Sequence, residues 1–232
     1  MIPIKDNIPS RNYPIVNIAL IWANFVVFAI ELAAGPAARE IVAMWGMTPA
    51  RLAHEGLTLA TAATFITSMF LHGGWAHVLG NMWFLYIFGD NVEDRMGHGR
   101  YLLFYLLGGI AGGVAHFLFN PLSPVPAIGA SGAIAAVLGA YYVLFPFARV
   151  AALVWLFWII DIVELPALTF LGAWFLFQFI SGLATLPFAG QFVGGVAWWA
   201  HVGGFVTGMV LVKIFCRPRE RCRFPYDFRP VW

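Results

Sequence analysis

Residues 129–140 read GASGAIAAVLGA, and this stretch decides the fold class of the chain. It contains one hydroxyl group, that of Ser131, among glycine, alanine and aliphatic side chains. Small residues recur at intervals of four, at Ser131, Ala135 and Gly139. In a lipid environment such a row lets a second helix approach closely. The stretch therefore predicts a membrane-embedded helix that packs tightly against a partner helix.

A second row of small residues lies in residues 200–208, AHVGGFVTG. Its members are also four apart: Ala200, Gly204 and Gly208. If the two rows pack against each other, His201 can reach Ser131, and we interpret them as a Ser–His pair. The alternative is ordinary helix packing, in which the Ser131 hydroxyl bonds to the backbone of its own helix.

The composition sets the class of protein. Of the 232 residues 61% are hydrophobic and 10% charged, whereas a soluble globular protein carries about 25% charged residues. The formal net charge of +2 is too small to indicate a nucleic acid partner. We therefore predict an all-α membrane protein of one domain. Six stretches are long and apolar enough to cross a bilayer: 15–33, 76–93, 101–119, 128–146, 167–187 and 193–215.

The distribution of basic residues predicts the orientation. They favour the cytoplasmic side of a membrane. With an N-terminal segment 1–14 inside, a six-helix domain 15–215 and a C-terminal tail 216–232 inside, eleven of the thirteen lysines and arginines fall on the inner side. We expect both termini in the cytoplasm, with the basic tail beside anionic membrane lipids.

The segment 147–166 does not fit the pattern of six spans. It is apolar but contains Asp161, Glu164 and Pro166. We interpret it either as a re-entrant or interfacial piece or as part of a longer fifth span, and the sequence leaves both open.

Polar side chains in three predicted spans share one depth. The number of residues between a side chain and the first inner-side arginine of its span gives its distance from the inner boundary, at about 1.5 Å per residue. This distance is roughly 20–27 Å for Ser131, His201, His77 and Asn81. His77 and Asn81 are also four apart, so they share a helix face. Ionisable and polar residues at depth are expensive and usually functional. We therefore expect these four residues to form one site.

The residue types of this site indicate nucleophilic catalysis. A serine hydroxyl becomes a good nucleophile when a neighbouring base removes its proton, and an imidazole suits that role near neutral pH. No acidic residue lies in the spans of Ser131 and His201, so we expect a dyad rather than a triad. The side chains of His77 and Asn81 and the backbone N–H of Ser131 are candidate donors to an oxyanion.

A metal site is the weaker interpretation of the histidines. His72 and His77 are five residues apart, which turns them to different helix faces, and the chain has no H-E-x-x-H motif. We expect no metal and no cofactor.

The chain resembles the rhomboid family of intramembrane serine proteases, in particular its bacterial members. The resemblance rests on three pieces in this order: residues 71–109, LHGGWAHVLGNMWFLYIFGDNVEDRMGHGRYLLFYLLGG, then GASGA at 129–133, then AHVGGFVTG at 200–208. It implies a bundle of six transmembrane helices around a short fourth helix, with water entering from the outer side. It also implies substrates that are membrane proteins, cut within or beside a transmembrane segment.

The resemblance assigns roles residue by residue. It makes Ser131 the nucleophile and His201 the general base and acid, with His77, Asn81 and the Ser131 amide around the oxyanion. His72 matches a structural histidine, and Gly129 and Gly132 match the glycines that flank the nucleophile. Gly204, in the second row of small residues, is a further supporting residue because it lets the two helices approach closely. One departure is Ala135, where family members often carry an aromatic residue that packs under the histidine.

Two other functions fit the same spans. A catalytically inactive rhomboid-like protein would bind or sort membrane proteins, but this chain has both Ser131 and His201. A transporter with a histidine proton path would need polar residues in the inner halves of the spans, and these are nearly all apolar. We therefore expect a protease of the bacterial inner membrane, with its site open to the outer side. The oligomeric state is left open.

Overall fold

The computed structural model describes residues 1–156, 159–188 and 195–216. The predicted tail, apart from Cys216, and the first two residues of the predicted sixth span lie outside the described residues. The described helices are α1 (Ile15–Ala34), α2 (Ala38–Trp45), α3 (Pro49–Glu55), α4 (Leu59–Thr67), α5 (Trp75–Met96), α6 (His98–Phe119), α7 (Ser131–Leu144), α8 (Ala167–Thr185) and α9 (Trp198–Phe215). The strands are β1 (Ile2–Asp6), β2 (Arg149–Leu156) and β3 (Ile159–Pro166).

Helices coincide with all six predicted spans. In the described part of the chain, four are long and apolar enough to cross a membrane: Ile15–Trp45, which extends the first span, His98–Phe119, Ala167–Thr185 and Trp198–Phe215. The helix α5 has 22 residues but carries Asp90, Glu93, Asp94 and Arg95 towards its end, and α7 has 14 residues. The protein is therefore a mostly helical integral membrane protein, and the count of six spans stays a prediction.

The segment 147–166 corrects the prediction of an all-α protein. It does not extend the fifth span as a helix, since β2 and β3 pair in antiparallel register from Arg149↔Pro166 to Leu156↔Ile159. The alternative of a re-entrant or interfacial piece stays a prediction. The predicted N-terminal segment adds β1, which pairs with β2 from Ile2↔Leu153 to Asp6↔Val150. Two apolar runs of eight residues separated by two residues favour a hairpin, and the isoleucines and valine of the second run fit a pleated sheet because their side chains are branched.

The helix α7 is the centre of the bundle. Every residue from Gly132 to Tyr141 is buried. A helix that is apolar on all sides has to be enclosed by others, and α5, α6 and α9 enclose it. This central position explains why α7 is short and consists mainly of small residues at its start.

The two rows of small residues meet as the sequence predicts. A Cβ atom on Gly204 would overlap the carbonyl oxygen of Gly132, and a Cβ on Gly208 would overlap that of Ala136. A Cβ on Gly139 would overlap the carbonyl oxygen of Phe205. The backbones of α7 and α9 are thus in direct contact, which confirms the predicted close approach of these helices.

Candidate active site

Ser131 is the first residue of α7 and follows a tight turn. Gly129 has φ +112°, a conformation that side chains other than glycine rarely adopt. A Cβ atom on Gly129 would also lie 2.5 Å from Nε2 of His77 and 3.3 Å from Nδ2 of Asn81. Glycine at 129 therefore serves two purposes: it allows the turn before Ser131, and it lets two polar side chains of α5 lie against the backbone there.

His201 lies in the first turn of α9 and is 9% exposed. Its Nε2 atom is 2.8 Å from Oγ of Ser131, a hydrogen-bond distance. The contact between Gly204 and Gly132 sets the spacing of the two helices just beyond this pair. The structure thus brings the predicted Ser–His pair together through the predicted helix contact.

The other nitrogen of the His201 ring has a partner that sequence reasoning did not assign. Nδ1 of His201 is 2.7 Å from Oε1 of Gln178, a buried residue of α8. Gln178 is a polar residue within predicted span five. Because the third member of a triad is normally a carboxylate, sequence reasoning assigned this amide no role as a partner of His201.

An aromatic ring lies beside His201 in spite of the alanine at 135. Ala135 is fully buried in α7 near Gly204. The ring of Trp174, on α8, has its centroid 5.8 Å from that of His201, with an angle of 31° between the planes. Trp174 and Gln178 are four residues apart, so both belong to one face of α8.

His72, His77 and Asn81 form a group at the start of α5. Nδ1 of His72 is 3.2 Å from the carbonyl oxygen of Phe70, which makes this nitrogen the protonated one. Nε2 of His72 then accepts a hydrogen bond of 3.0 Å from the amide Nδ2 of Asn81. One N–H of the Asn81 amide is thereby held by His72, while the second remains to donate elsewhere.

The ring of His77 has a defined proton position as well. The backbone N–H of Gly73 donates to Nδ1 of His77 at 3.4 Å. The proton of a neutral ring is then on Nε2, the atom that lies against Gly129. His77 and Asn81 therefore both direct N–H groups to the turn that precedes Ser131.

Glu31 is a buried carboxylate of α1 that contacts this group. Its side chain accepts a hydrogen bond of 3.1 Å from the backbone N–H of His72. Glu31 supports the segment before α5, whereas the Nδ1 atom of His201 contacts an amide. That the pair acts as a dyad stays a prediction.

A partly open cavity of about 250 Å³ lies beside the site. Its lining combines polar side chains with the tryptophans at the start of α9, and includes His77, His116, Asn120, Ser123, Trp198 and Trp199. A second space of about 30 Å³ reaches Ser131 and is lined by small residues and methionines, among them Gly109, Gly113, Gly129, Met47 and Met69. Within the described residues, no three histidine, cysteine, aspartate or glutamate side chains are grouped to hold a metal ion.

Comparison with known families identifies the family of the chain. Residues 60–218 match the family model of the Rhomboid domain, more than half of the chain. The chain belongs to the rhomboid family. The matched range contains Ser131, His201 and the group of His72, His77 and Asn81, and it excludes α1 and β1.

Individual relatives cover shorter stretches of this rhomboid protein. It is 38% identical over 102 residues to the rhomboid protease GluP of Bacillus subtilis, which is 44% of this chain and 19% of that relative. It is 37% identical over 60 residues to the putative rhomboid protease YdcA of the same organism, 26% and 30% of the two chains. The chloroplastic rhomboid-like protein 11 of Arabidopsis thaliana is 38% identical over 61 residues, 26% and 22%. The matched segments thus span under a third of each relative.

Proposed function

We propose that this rhomboid protein is an intramembrane serine protease that hydrolyses membrane-protein substrates within or beside their transmembrane segments. The observation that carries the proposal is the distance of 2.8 Å between Oγ of Ser131 and Nε2 of His201, beside a cavity with polar lining. Two relatives named as proteases support it.

The pair performs the reaction in two stages, acylation and deacylation, each with two proton transfers through His201. Nε2 of His201 takes the hydroxyl proton while Oγ of Ser131 attacks the carbonyl carbon of the scissile bond. The tetrahedral intermediate collapses when His201 gives this proton to the leaving amine, which leaves an acyl group on Ser131. Water then attacks the acyl group, His201 accepts a proton from the water, and the proton returns to Oγ as the acid product leaves.

Three N–H groups are suited to the oxyanion of the intermediate. They are Nε2–H of His77, the second N–H of the Asn81 amide and the backbone N–H of Ser131. The last is one of the amide groups of the first turn of α7, which have no acceptor within the helix. The positive end of the helix dipole adds to their effect. Such preorganised donors usually provide the largest single contribution to the rate.

The two spaces near Ser131 suggest how substrate and water reach the site. The cavity of about 250 Å³ has polar side chains that can hold water for the second half of the reaction. The space of about 30 Å³ fits a small side chain next to the scissile bond. The distribution of basic residues favours an orientation with this end of the bundle outside, and the resemblance to bacterial rhomboid proteases favours a bacterial inner membrane.

Ser131→Ala tests the proposed reaction. Purified protein in detergent should cleave a model transmembrane substrate and react with a fluorophosphonate probe, and Ser131→Ala should abolish both. The matched control is Ser181→Ala, which removes another serine hydroxyl from a membrane helix, on α8 and away from the cavity. The control should retain cleavage.

The same experiment separates the protease from a rhomboid-like binding protein. A folded wild-type protein that binds the substrate without cleaving it, and that does not react with the probe, would contradict the proposal. Cleavage by Ser131→Ala at the wild-type rate would contradict the assignment of the nucleophile.

A further inference from the structure

Gln178 is a polar side chain that is buried among apolar neighbours. It is 4% exposed on α8, a helix whose neighbouring side chains are apolar. A buried amide without a hydrogen-bond partner is energetically unfavourable. Its carbonyl oxygen has a partner, Nδ1 of His201, at 2.7 Å. The hydrogen bond therefore accounts for a polar residue that packing alone does not require.

The direction of this hydrogen bond decides which nitrogen of His201 is basic. If Oε1 of Gln178 accepts, the proton is on Nδ1 and the lone pair is on Nε2, which faces Oγ of Ser131 at 2.8 Å. If the amide were rotated to donate, Nδ1 would carry the lone pair and Nε2 the proton. In the second case His201 could not take the proton of Ser131.

Trp174 restricts the same ring from another side. Its ring is 5.8 Å from that of His201 between centroids. It also lies 6.1 Å from the ring of Phe205, one turn further along α9. Ala135 on α7 is too small to fill this role. One face of α8 thus supplies both a hydrogen-bond acceptor and a ring to His201.

We propose that Gln178, together with Trp174, positions His201, by holding the tautomer and the ring orientation in which Nε2 accepts the proton of Ser131. This inference rests on the proposed function for its effect on catalysis. Both are positioning residues, because they act through His201. The helix α8 thereby supplies the contact that a carboxylate provides in a triad.

The expected effect lies below that of a charged partner. Loss of the tautomer-holding carboxylate in a serine protease triad lowers kcat by about 10⁴-fold. A neutral amide stabilises the positive imidazole of the transition state less. Gln178→Leu should therefore lower kcat roughly 10- to 100-fold with KM little changed. Gln178→Glu, which keeps an oxygen at the same position, should retain most of the activity.

A second pair of variants tests the ring. Trp174→Phe keeps an aromatic ring and should retain activity, whereas Trp174→Leu should lower kcat. The matched control is Trp22→Leu, which removes a tryptophan from an exposed face of α1.

A nitrogen NMR measurement tests the tautomer without any substrate. In protein labelled with ¹⁵N-histidine, the His201 signals, assigned with His201→Ala, should show a protonated Nδ1 and an unprotonated Nε2. Gln178→Leu should give a mixture of tautomers, and Gln178→Glu should not. If the wild-type protein cleaves nothing, the proposed function fails, and these signals still decide the inference.

Two results would overturn the inference. One is an unchanged His201 spectrum in Gln178→Leu. The other is an equal loss of activity in the glutamate and leucine variants, which would show that an acceptor oxygen beside Nδ1 of His201 is not what supports activity.

Discussion

The two ends of α7 carry the same kind of pair in different surroundings. At its first residue the hydroxyl of Ser131 hydrogen-bonds the imidazole of His201. At the other end the hydroxyl of Tyr141 donates to the carboxyl group of Asp6, on β1. Each is a hydroxyl beside a titratable side chain from a distant part of the chain. A hydrogen-bonded pair of this kind is thus insufficient to mark a catalytic site.

The difference lies in what fills the space around each pair. Ser131 follows a glycine turn, begins a helix and lines the space of about 30 Å³. Tyr141 is fully buried, with the rings of Phe88 and Phe145 at centroid distances of 5.0 and 4.9 Å. A substrate has room and N–H donors at the Ser131 end, whereas aromatic packing fills the Tyr141 end. We therefore expect catalysis at the Ser131 pair and structural support at the Tyr141 pair.

The largest expected effect comes from breaking the helix contact at the Ser131 end. Gly204→Val places side-chain atoms where the carbonyl oxygen of Gly132 lies, so α7 and α9 have to separate. A displacement near 1 Å can cost about 10² in rate, and overpacking costs about 1–3 kcal/mol of stability. Cleavage should fall at least 100-fold, and the midpoint of thermal unfolding should fall as well.

The control for this change is another glycine of a membrane helix. Gly80, on α5, has open space where a Cβ atom would lie, so Gly80→Val should retain activity and thermal stability. If Gly204→Val and Gly80→Val behave alike, the backbone contact does not position the site.

A smaller effect is expected from the oxyanion donors. Asn81→Ala should lower kcat by about 10²-fold if its amide donates to the oxyanion. His72→Ala should lower it less, since His72 holds the amide through one N–H. The two changes should not add: the double variant should be no slower than Asn81→Ala, because His72 acts through Asn81. Rates measured on one substrate complete this double-mutant cycle, and additive losses would show that His72 acts separately.

The Ser131 end was largely predictable from the sequence. Ser131, His201, His77 and Asn81 come together because small residues four apart specify the helix contact, and because equal depth along separate spans can be counted. Gln178 could be recognised as polar at depth, but its partner could not, since nothing in the sequence fixes how α8 is rotated against α9. The rotation depends on the packing of large side chains such as Trp174.

The Tyr141 end was predicted poorly, for a related reason. The segment 147–166 is apolar enough to resemble part of a span, and its branched residues favour a strand only weakly against that pattern. The pairing of β2 with β1 joins residues almost 150 positions apart, for which hydropathy has no signal. Asp6, Asn91 and Tyr141 are individually unremarkable in the sequence, and the fold alone brings them together.

Asp6 provides a test of the Tyr141 end through pH. Its carboxyl oxygen accepts hydrogen bonds from Tyr141 and, at 2.9 Å, from the amide of Asn91. Burial is the main cause that raises the pKa of Asp6 from 3.8 to about 7, the hydrogen bond from Tyr141 opposes the rise, and the neighbouring charge of Asp90 adds to it. A carboxyl group with a raised pKa in the folded protein binds its proton more tightly there than in the unfolded chain.

The smallest expected effect is a dependence of stability on pH, which follows from the raised pKa of Asp6. The contribution of Asp6 to stability is fully present below about pH 4 and is lost as the pH rises through about 7. Hydrogen-exchange protection of the β1 amides, corrected for intrinsic exchange rates, should therefore decrease between pH 5 and pH 8. Asp6→Asn, which has nothing to ionise, should remove this dependence, while Asp161→Asn, at an exposed position on β3, should keep it. Cleavage at a fixed pH should change little in Asp6→Asn, since the pair at the Ser131 end is untouched. A large loss of cleavage would show that the two ends of α7 are coupled and that the Tyr141 end also serves catalysis.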